Sequence, residues 1–182
     1  MQTLIIHPKD STTTFLELLY GTIPDKTIIR GGVSKEEIKY LIQSHERVMM
    51  LGHGSPSGLF SVGSFPDTNG YIIDQTMVEL LNRKRDNIFI WCNADCFVNH
   101  YRLKGFYSGM FISEVEEADY CRLTDTSQNQ VDESNQRFGE IFSGFANENI
   151  ASIYKNVLTE YGKLAEKNPV ASYNCKRLYM NQ

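Results

Sequence analysis

Two uninterrupted apolar runs constrain the fold of this chain more than any other feature of its sequence. The first run, residues 48–51, leads into the tripeptide Gly-His-Gly at 52–54, and the second, residues 88–91, leads into Cys-Asn-Ala-Asp-Cys at 92–96. Apolar runs bounded by turn-forming residues are typical of strands buried on both faces, as in a parallel sheet between helices. Residues 71–85 between them are predicted to form a crossover helix, so the two strands are expected to be parallel neighbours.

The rest of the chain continues this alternation of strands and helices. Further strands are predicted at residues 3–6, 26–30 and 109–113, and a small hairpin within residues 58–62. Helical patterns follow at 15–19, 34–42, 97–103, 135–145 and 153–164, whereas the polar segment 124–134 is expected to be a flexible connection. The alternation predicts right-handed crossovers and an α/β fold, a three-layer α/β/α sandwich with a mostly parallel sheet of five or six strands.

The length and the net charge of the chain limit its domain organisation and its possible partners. A chain of 182 residues fits one domain, residues 1–182, with a core sheet in 1–115 and a C-terminal helical part in 134–168. A net charge of −4 argues against nucleic acid and anionic membranes as partners. The apolar runs are too short to span a bilayer and no signal core begins the sequence, so a cytoplasmic location is expected, with the cysteines kept as thiols.

Motifs for common cofactors are missing from the sequence. It contains no P-loop, no dinucleotide fingerprint and no serine elbow, and its histidines and acids lack metal-ligand spacing. Neither a cofactor nor a metal is therefore expected. Ligands of open parallel sheets bind at the carboxyl ends of the strands, and this edge is predicted to gather residues 7–10, 31–32, 52–54, 92–96 and Glu114.

The order and placement of His53 and the paired cysteines resemble the clan CD cysteine peptidases, which include the caspases, metacaspases, gingipains, clostripain and separases. The resemblance covers residues 1–115 in architecture, while its motif is confined to residues 52–54 and 92–96. The family usually has Ala-Cys directly after the fourth strand. Here Ala94 is followed by Asp95, and cysteines stand at 92 and 96. The resemblance implies a caspase-like fold and a peptide or protein substrate.

Carried over to this chain, the resemblance makes His53 the general base and one of Cys92 or Cys96 the nucleophile. The backbone N–H of Gly54, with that of the nucleophile, would form the oxyanion hole. An imidazole beside a thiol increases the thiolate fraction and later protonates the leaving amine. Glycines on both sides of His53 permit unusual φ values and the close approach of a substrate strand.

Counting along the strands leaves the choice of nucleophile open. Cys92 follows its apolar run directly and is expected nearer the level of His53. Cys96 stands near the start of the next predicted helix, whose amides would lower its pKa. Asn93, Asp95 and Glu114 are candidates for a substrate pocket in which carboxylates favour a basic residue, although Asp95 is equally suited to cap the helix.

Two alternatives to a peptidase follow from the same residues. The irregular cysteine turn also fits a caspase-like domain without activity that serves in binding or sensing. Redox chemistry between Cys92 and Cys96 is a third possibility, although their spacing is not that of a Cys-x-x-Cys motif. The other histidines, His7, His45 and His100, lack the context of His53 and are interpreted as surface or hydrogen-bonded side chains.

Overall fold

A computed structural model describes residues 1–66 and 68–182 of the chain. Within these residues, six strands form the main sheet and three short strands form a second one. The strands are β1 (Thr3–Ile6), β2 (Lys26–Ile29), β3 (Arg47–Leu51), β4 (Gly54–Ser55), β5 (Gly58–Phe60), β6 (Tyr71–Ile73), β7 (Asn87–Ile90), β8 (Gly105–Ser108) and β9 (Leu178–Asn181). The main sheet has the order β2-β1-β3-β7-β8-β9, and the small antiparallel sheet has the order β4-β5-β6.

The helices of the described residues lie between and after these strands. They are α1 (Lys35–Ser44), α2 (Val78–Asn82), α3 (Ala94–Tyr101), α4 (Val115–Tyr120), α5 (Gln128–Phe145), α6 (Ile150–Ala165) and α7 (Pro169–Cys175), with short 3₁₀ helices at Thr14–Tyr20 and Gln75–Met77. Helix α1 begins with a capping box: the side chain of Ser34 accepts from the N–H of Glu37, and the Glu37 carboxylate accepts from the N–H of Ser34.

The predicted α/β fold is confirmed. Strands β1, β2, β3, β7 and β8 run parallel, and only β9 is antiparallel to its neighbour. Along β3, Met49 and Leu51 pack into the core formed with α5, α6 and the first 3₁₀ helix, while Val48 and Met50 pack on the other side with α1, α2 and α3. Because both faces of β3 are buried, its sequence is continuously apolar rather than alternating, as the sequence analysis expected.

The register of β3 and β7 places their carboxyl ends at the same level. Leu51 pairs with Ile90, and the backbone N–H of Gly52 still donates to the Ile90 carbonyl at 3.0 Å. Continued by two residues, this register puts His53 opposite Cys92. The two residues therefore lie next to each other just beyond the ends of β3 and β7, at the edge where open parallel sheets bind their ligands.

The prediction of a strand at residues 109–113 was wrong. The fifth parallel strand is β8, and the run that follows it has no strand neighbour. A side chain takes the place of that neighbour: Asn174 donates its Nδ2 to the Ile112 carbonyl and accepts from the Ile112 N–H with its Oδ1, each at 2.8 Å. The run is apolar because Phe111 and Ile112 are buried, not because it joins the sheet.

Two helix boundaries were also wrong. Tyr71–Ile73 is the strand β6, paired with β5 in the small sheet, and the crossover becomes helical only from Gln75. The small hairpin predicted within residues 58–62 also differs: β5 forms its hairpin with β4, and not with residues 61–62. Helix α5 already begins at Gln128 within the segment expected to be flexible, because Ser127 and Gln130 form a capping box. Strand β9, beyond the C-terminal helices, was not predicted.

Candidate active site

His53 and Cys92 line one small cavity at the carboxyl edge of the main sheet. The cavity encloses about 20 Å³, and most of its remaining lining is backbone or apolar side chain, including Leu16, Ile90 and Phe111. Both residues are partly buried. The sheet thus places an imidazole and a thiol at the lining of one cavity from adjacent parallel strands, although no hydrogen bond joins the two side chains in the described residues.

The imidazole of His53 is held by the segment that follows β1. Its Nε2 lies 2.6 Å from the Oγ1 of Thr12, and that hydroxyl donates to Asp10 Oδ1 at 2.7 Å. Because a hydroxyl has one proton, and Thr12 gives it to Asp10, Thr12 accepts from His53. The proton of the neutral imidazole is therefore on Nε2, and Nδ1 carries the free lone pair of a general base.

The thiol of Cys92 is protonated in this arrangement. Its Sγ lies 3.5 Å from the Phe111 carbonyl oxygen and 3.6 Å from Glu117 Oε1, and its single proton is shared between these two acceptors. Burial and the neighbouring Glu117 carboxylate raise the pKa of Cys92 to about 12. A thiolate at this position would be both poorly solvated and repelled by the carboxylate.

The position of Glu117 is fixed by the turn that precedes α4. Its Oε2 accepts from the backbone N–H of Ser113 at 2.7 Å, from the Ser113 hydroxyl at 2.9 Å and from the N–H of Glu114 at 3.2 Å. Its other oxygen, Oε1, faces Cys92. The carboxylate that contacts the thiol is thus also the capping group of a helix, and the capping contacts hold it in place.

Cys96 lies on a different surface from His53. It is exposed in the first turn of α3 and lines a hollow of about 510 Å³ together with Ser57, Asp74 and His100. The expectation that the helix amides lower its pKa is not met, since burial and the adjacent Asp95 raise the pKa of Cys96. Cys92, and not Cys96, lines the cavity of His53, and the two thiols of the redox hypothesis line different hollows and form no disulfide.

The two glycines beside His53 have different structural roles. Gly52 has a φ of 139°, a conformation that side chains rarely adopt. Gly54 is required for packing, because a Cβ there would overlap the indole of Trp91. The Phe60 N–H donates to the His53 carbonyl at 2.9 Å, so the next residue, Gly54, directs its N–H away from β5, as alternate residues of an antiparallel ladder do. That orientation leaves the Gly54 N–H available to an oxyanion.

The three candidate pocket residues do not share one pocket. Asn93 adopts the left-handed conformation, with φ of 65°, as the N-cap of α3, so that Asp95 lies inside the helix and does not cap it. Glu114 lies on the side of His53 and lines a separate groove between the 3₁₀ segment, α4 and α5. Burial and the neighbouring Glu117 raise the pKa of Glu114. Of the three, Glu114 is the one placed to meet a molecule bound beside His53.

Sequence reasoning missed the groups that hold the two reactive side chains. Thr12 and Glu117 stand 41 residues before His53 and 25 residues after Cys92, respectively. A local signal existed for each: Asp10 begins a turn that its side chain closes on Thr12, and Glu117 belongs to a capping box. Neither signal indicates which distant residue the side chain will contact.

Comparisons with known proteins identified no relative of this chain. A scan against protein-family models, a search of curated proteins and a search of solved structures each found no match. Among residues 1–66 and 68–182, no three His, Cys, Asp or Glu side chains are grouped closely enough to hold a metal ion. No helix in this part of the chain is long and apolar enough to cross a membrane.

Proposed function

We propose that this protein is a cysteine peptidase of caspase-like architecture, with Cys92 as nucleophile and His53 as general base. The observation that carries the proposal is the shared cavity of these two residues at the carboxyl ends of adjacent parallel strands. Their order and strand placement resemble those of the clan CD peptidases, which supports the proposal. A reducing compartment such as the cytoplasm would keep Cys92 a thiol, which the chemistry requires.

The proposed reaction is acyl transfer through the sulfur of Cys92. Nδ1 of His53 takes the thiol proton, the thiolate attacks the carbonyl carbon of a peptide bond, and the resulting oxyanion accepts from the N–H groups of Gly54 and Cys92. The imidazolium then gives its proton to the leaving amine, and water hydrolyses the thioester to release the acid and regenerate the thiol. The first step requires the thiol to turn from Glu117 towards His53 when a substrate is bound.

Labelling by an electrophilic peptidyl acyloxymethyl ketone tests the proposal. The ketone should alkylate one sulfur, and Cys92→Ala should abolish labelling while Cys96→Ala, the matched control, retains it. His53→Ala should slow labelling at neutral pH because the thiol loses its base. Persistent labelling of the Cys92→Ala/Cys96→Ala double variant would contradict the assignment of the nucleophile.

A second candidate function is favoured by one observation. Burial and the Glu117 contact raise the pKa of Cys92 to about 12, which is unfavourable for a nucleophile. A caspase-like domain that binds or senses a peptide without cleaving it needs no thiolate. Cleavage of a peptide library by the wild-type protein but not by Cys92→Ala would exclude this alternative.

A further inference from the structure

The turn of residues 10–13 carries the hydroxyl that contacts His53, but it lies largely at the surface. Thr12 Oγ1 lies 2.6 Å from Nε2 of His53. Asp10 closes the turn by accepting from the N–H of Thr12 at 2.9 Å and from its hydroxyl at 2.7 Å. Asp10 is half-buried and Thr12 is exposed. Because water competes for hydrogen bonds at such positions, these contacts alone hold the turn only weakly.

Thr13 attaches the turn to the interior of the protein. It is 3% exposed and lines the cavity of His53 and Cys92. Its hydroxyl donates to the carbonyl of Asp10 at 3.3 Å and lies 3.1 Å from Nε2 of His7. Since Thr13 gives its one hydroxyl proton to Asp10, it accepts from His7. The ring proton of neutral His7 is therefore on Nε2.

His7 is held firmly enough to act as an anchor for Thr13. It is fully buried directly after β1, and its backbone N–H donates to the Ile29 carbonyl at 2.9 Å. Its Nδ1, which carries no proton, accepts from the hydroxyl of Tyr20 at 3.0 Å. The backbone is thus fixed by the sheet and the ring by Tyr20, which leaves the Nε2–H directed at Thr13.

The charged groups around His7 favour its neutral form. Burial and the guanidinium of Arg30 lower the pKa of His7 from 6.5 to about 4, and the carboxylates of Glu17 and Asp10 offset this only in part. Arg30 is itself paired with Glu17. A neutral ring donates one hydrogen bond and accepts one, as its two partners require. An imidazolium has two donors and would leave the hydroxyl of Tyr20 without its acceptor.

We propose that His7 is a positioning residue for His53: it holds Thr13, and through Thr13 the turn that sets Thr12 against the imidazole. The proposal rests on the proposed function, because the orientation of this imidazole matters for catalysis only if His53 is the base. Opening of the turn would expose His7 to solvent, where its pKa returns to about 6.5. Acid therefore favours the open turn.

Nitrogen-15 NMR of the His53 ring at pH 8, where imidazoles are neutral, tests the positioning without catalysis. His7→Gln offers an amide donor and an acceptor in place of the two ring nitrogens, and should keep the ring proton of His53 on Nε2. His7→Leu offers neither, and should raise the Nδ1–H form about fivefold, the effect of one lost hydrogen bond.

His45→Leu is the matched control for His7→Leu. His45 also contacts a threonine hydroxyl, that of Thr27 at 2.8 Å, but near the amino ends of the strands and away from His53. Its replacement should lower the stability of the protein and leave the tautomer of His53 unchanged.

Amide hydrogen exchange supplies the pH dependence. The N–H of Leu16 donates to the Thr13 carbonyl at 3.0 Å, so its protection factor reports on the attachment of the turn. From pH 7 to pH 5 the open form should gain about twentyfold on the closed form in the wild type, given the two pKa values of His7. Protection of Leu16 should fall by up to this factor, and His7→Gln should show no fall. Met50 in β3, which exchanges by global unfolding, should stay more protected than Leu16 throughout.

The outcomes separate the positioning role from the peptidase. An unchanged His53 tautomer in folded His7→Leu, equal protection of Leu16 and Met50, or the same fall in His7→Gln as in the wild type would overturn the positioning role. If His7→Leu does not fold, the exchange comparison with His7→Gln decides alone. If the expected changes are found while Cys92 is never labelled, the positioning stands and the peptidase fails. If Cys92 is labelled and the changes are missing, the peptidase stands and the positioning fails.

Discussion

At the scale of single residues, two contacts act on the candidate site in opposite directions. Thr12 fixes the tautomer of His53 so that Nδ1 carries a free lone pair, as the proposed role of general base requires. Glu117 accepts from Cys92 and disfavours the thiolate. The contacts thus leave a ring nitrogen of His53 without a partner in the described residues and hold the Cys92 side chain neutral. Either contact can be removed by a substitution that changes few atoms.

Replacing Thr12 by valine should remove the contact that selects the tautomer of His53. Valine has nearly the shape of threonine but offers no oxygen, so we expect the ring proton to divide between Nδ1 and Nε2. Labelling of Cys92 should slow by about tenfold, the effect of one lost hydrogen bond. Nitrogen-15 NMR of the ring measures the tautomers directly. Thr12→Ser keeps the hydroxyl and should behave like the wild type; a serine variant as impaired as the valine variant would contradict this role.

Replacing Glu117 by glutamine should lower the pKa of Cys92 from its value of about 12. The substitution removes the charge beside the sulfur while an amide oxygen remains for the cap of α4. We expect the pKa of Cys92 to fall by about one or more when a charge at this distance is removed, and alkylation at pH 8 to become about tenfold faster. The measurement is the alkylation rate of the Cys92 peptide by mass spectrometry. Glu116→Gln is the control on the same helix. An equal increase of the alkylation rate in both variants would contradict the assignment of the raised pKa to Glu117.

The placement of His53 and Cys92 was predictable from sequence for a reason that Thr12 and Glu117 do not share. Each of the first two follows an apolar run whose length and end point are visible along the chain, and the edge of a parallel sheet brings such ends together. The other two are polar residues on separate elements whose contacts are made only by the final packing. The sequence therefore predicted that His53 and Cys92 reach one edge of the sheet, but not the side chains that contact them there.

At the scale of elements, the misplaced fifth strand shows how apolar pattern and backbone pairing can separate. Residues 109–113 are more apolar than Gly105–Ser108, yet the latter pair with both β7 and β9. The apolar run obtains its hydrogen bonds elsewhere: Ile112 bonds with the side chain of Asn174, and the N–H of Gly109 donates to the Arg177 carbonyl. Burial alone does not distinguish these situations, because a strand and an irregular segment can both be buried once their backbone groups are satisfied.

Two glycines of α5 should respond oppositely to substitution by alanine. At Gly139 an added Cβ would lie 2.8 Å from Leu18 of the first 3₁₀ helix, whereas at Gly144 nothing lies within 4 Å. We expect Gly139→Ala to destabilise the protein by about 1–3 kcal/mol through overpacking. Gly144→Ala should stabilise it by about 0.5–1 kcal/mol, the ordinary helix propensity.

Urea unfolding followed by circular dichroism measures both changes. Because the 3₁₀ helix directly follows the turn that contains Thr12, Gly139→Ala should also slow the labelling of Cys92, and Gly144→Ala should not. A stabilised Gly139→Ala variant would show that α5 and the 3₁₀ helix are not in close contact.

At the scale of the whole molecule, burial of His7 links stability to pH. His7 is fully buried between Tyr20 and Thr13, and burial together with Arg30 lowers its pKa from 6.5 to about 4. Between these values the unfolded chain binds a proton that the folded protein does not. The contribution of His7 to stability is therefore complete above pH 6.5 and is lost as the pH falls towards 4, by an amount on the order of 3 kcal/mol.

Urea unfolding at several pH values from 4 to 7 tests this link. His7→Gln, whose side chain does not titrate, should show a shallower fall in unfolding free energy over this range than the wild type. His100→Gln provides the control because His100 is exposed. Parallel curves for the wild type and His7→Gln would contradict the link.

The packing of Trp91 against Gly54 has an optical consequence. Trp91 is the single tryptophan of the chain, and it stands immediately before Cys92. Its indole packs against Gly54, next to His53, and the indole N–H donates to the Ser55 carbonyl at 3.1 Å. Indole emission depends on the polarity and hydrogen bonding around the ring. The native protein thus carries a single indole fluorophore, located at the edge of the sheet where chemistry is proposed, and the emission of this indole reports on that edge without an attached dye.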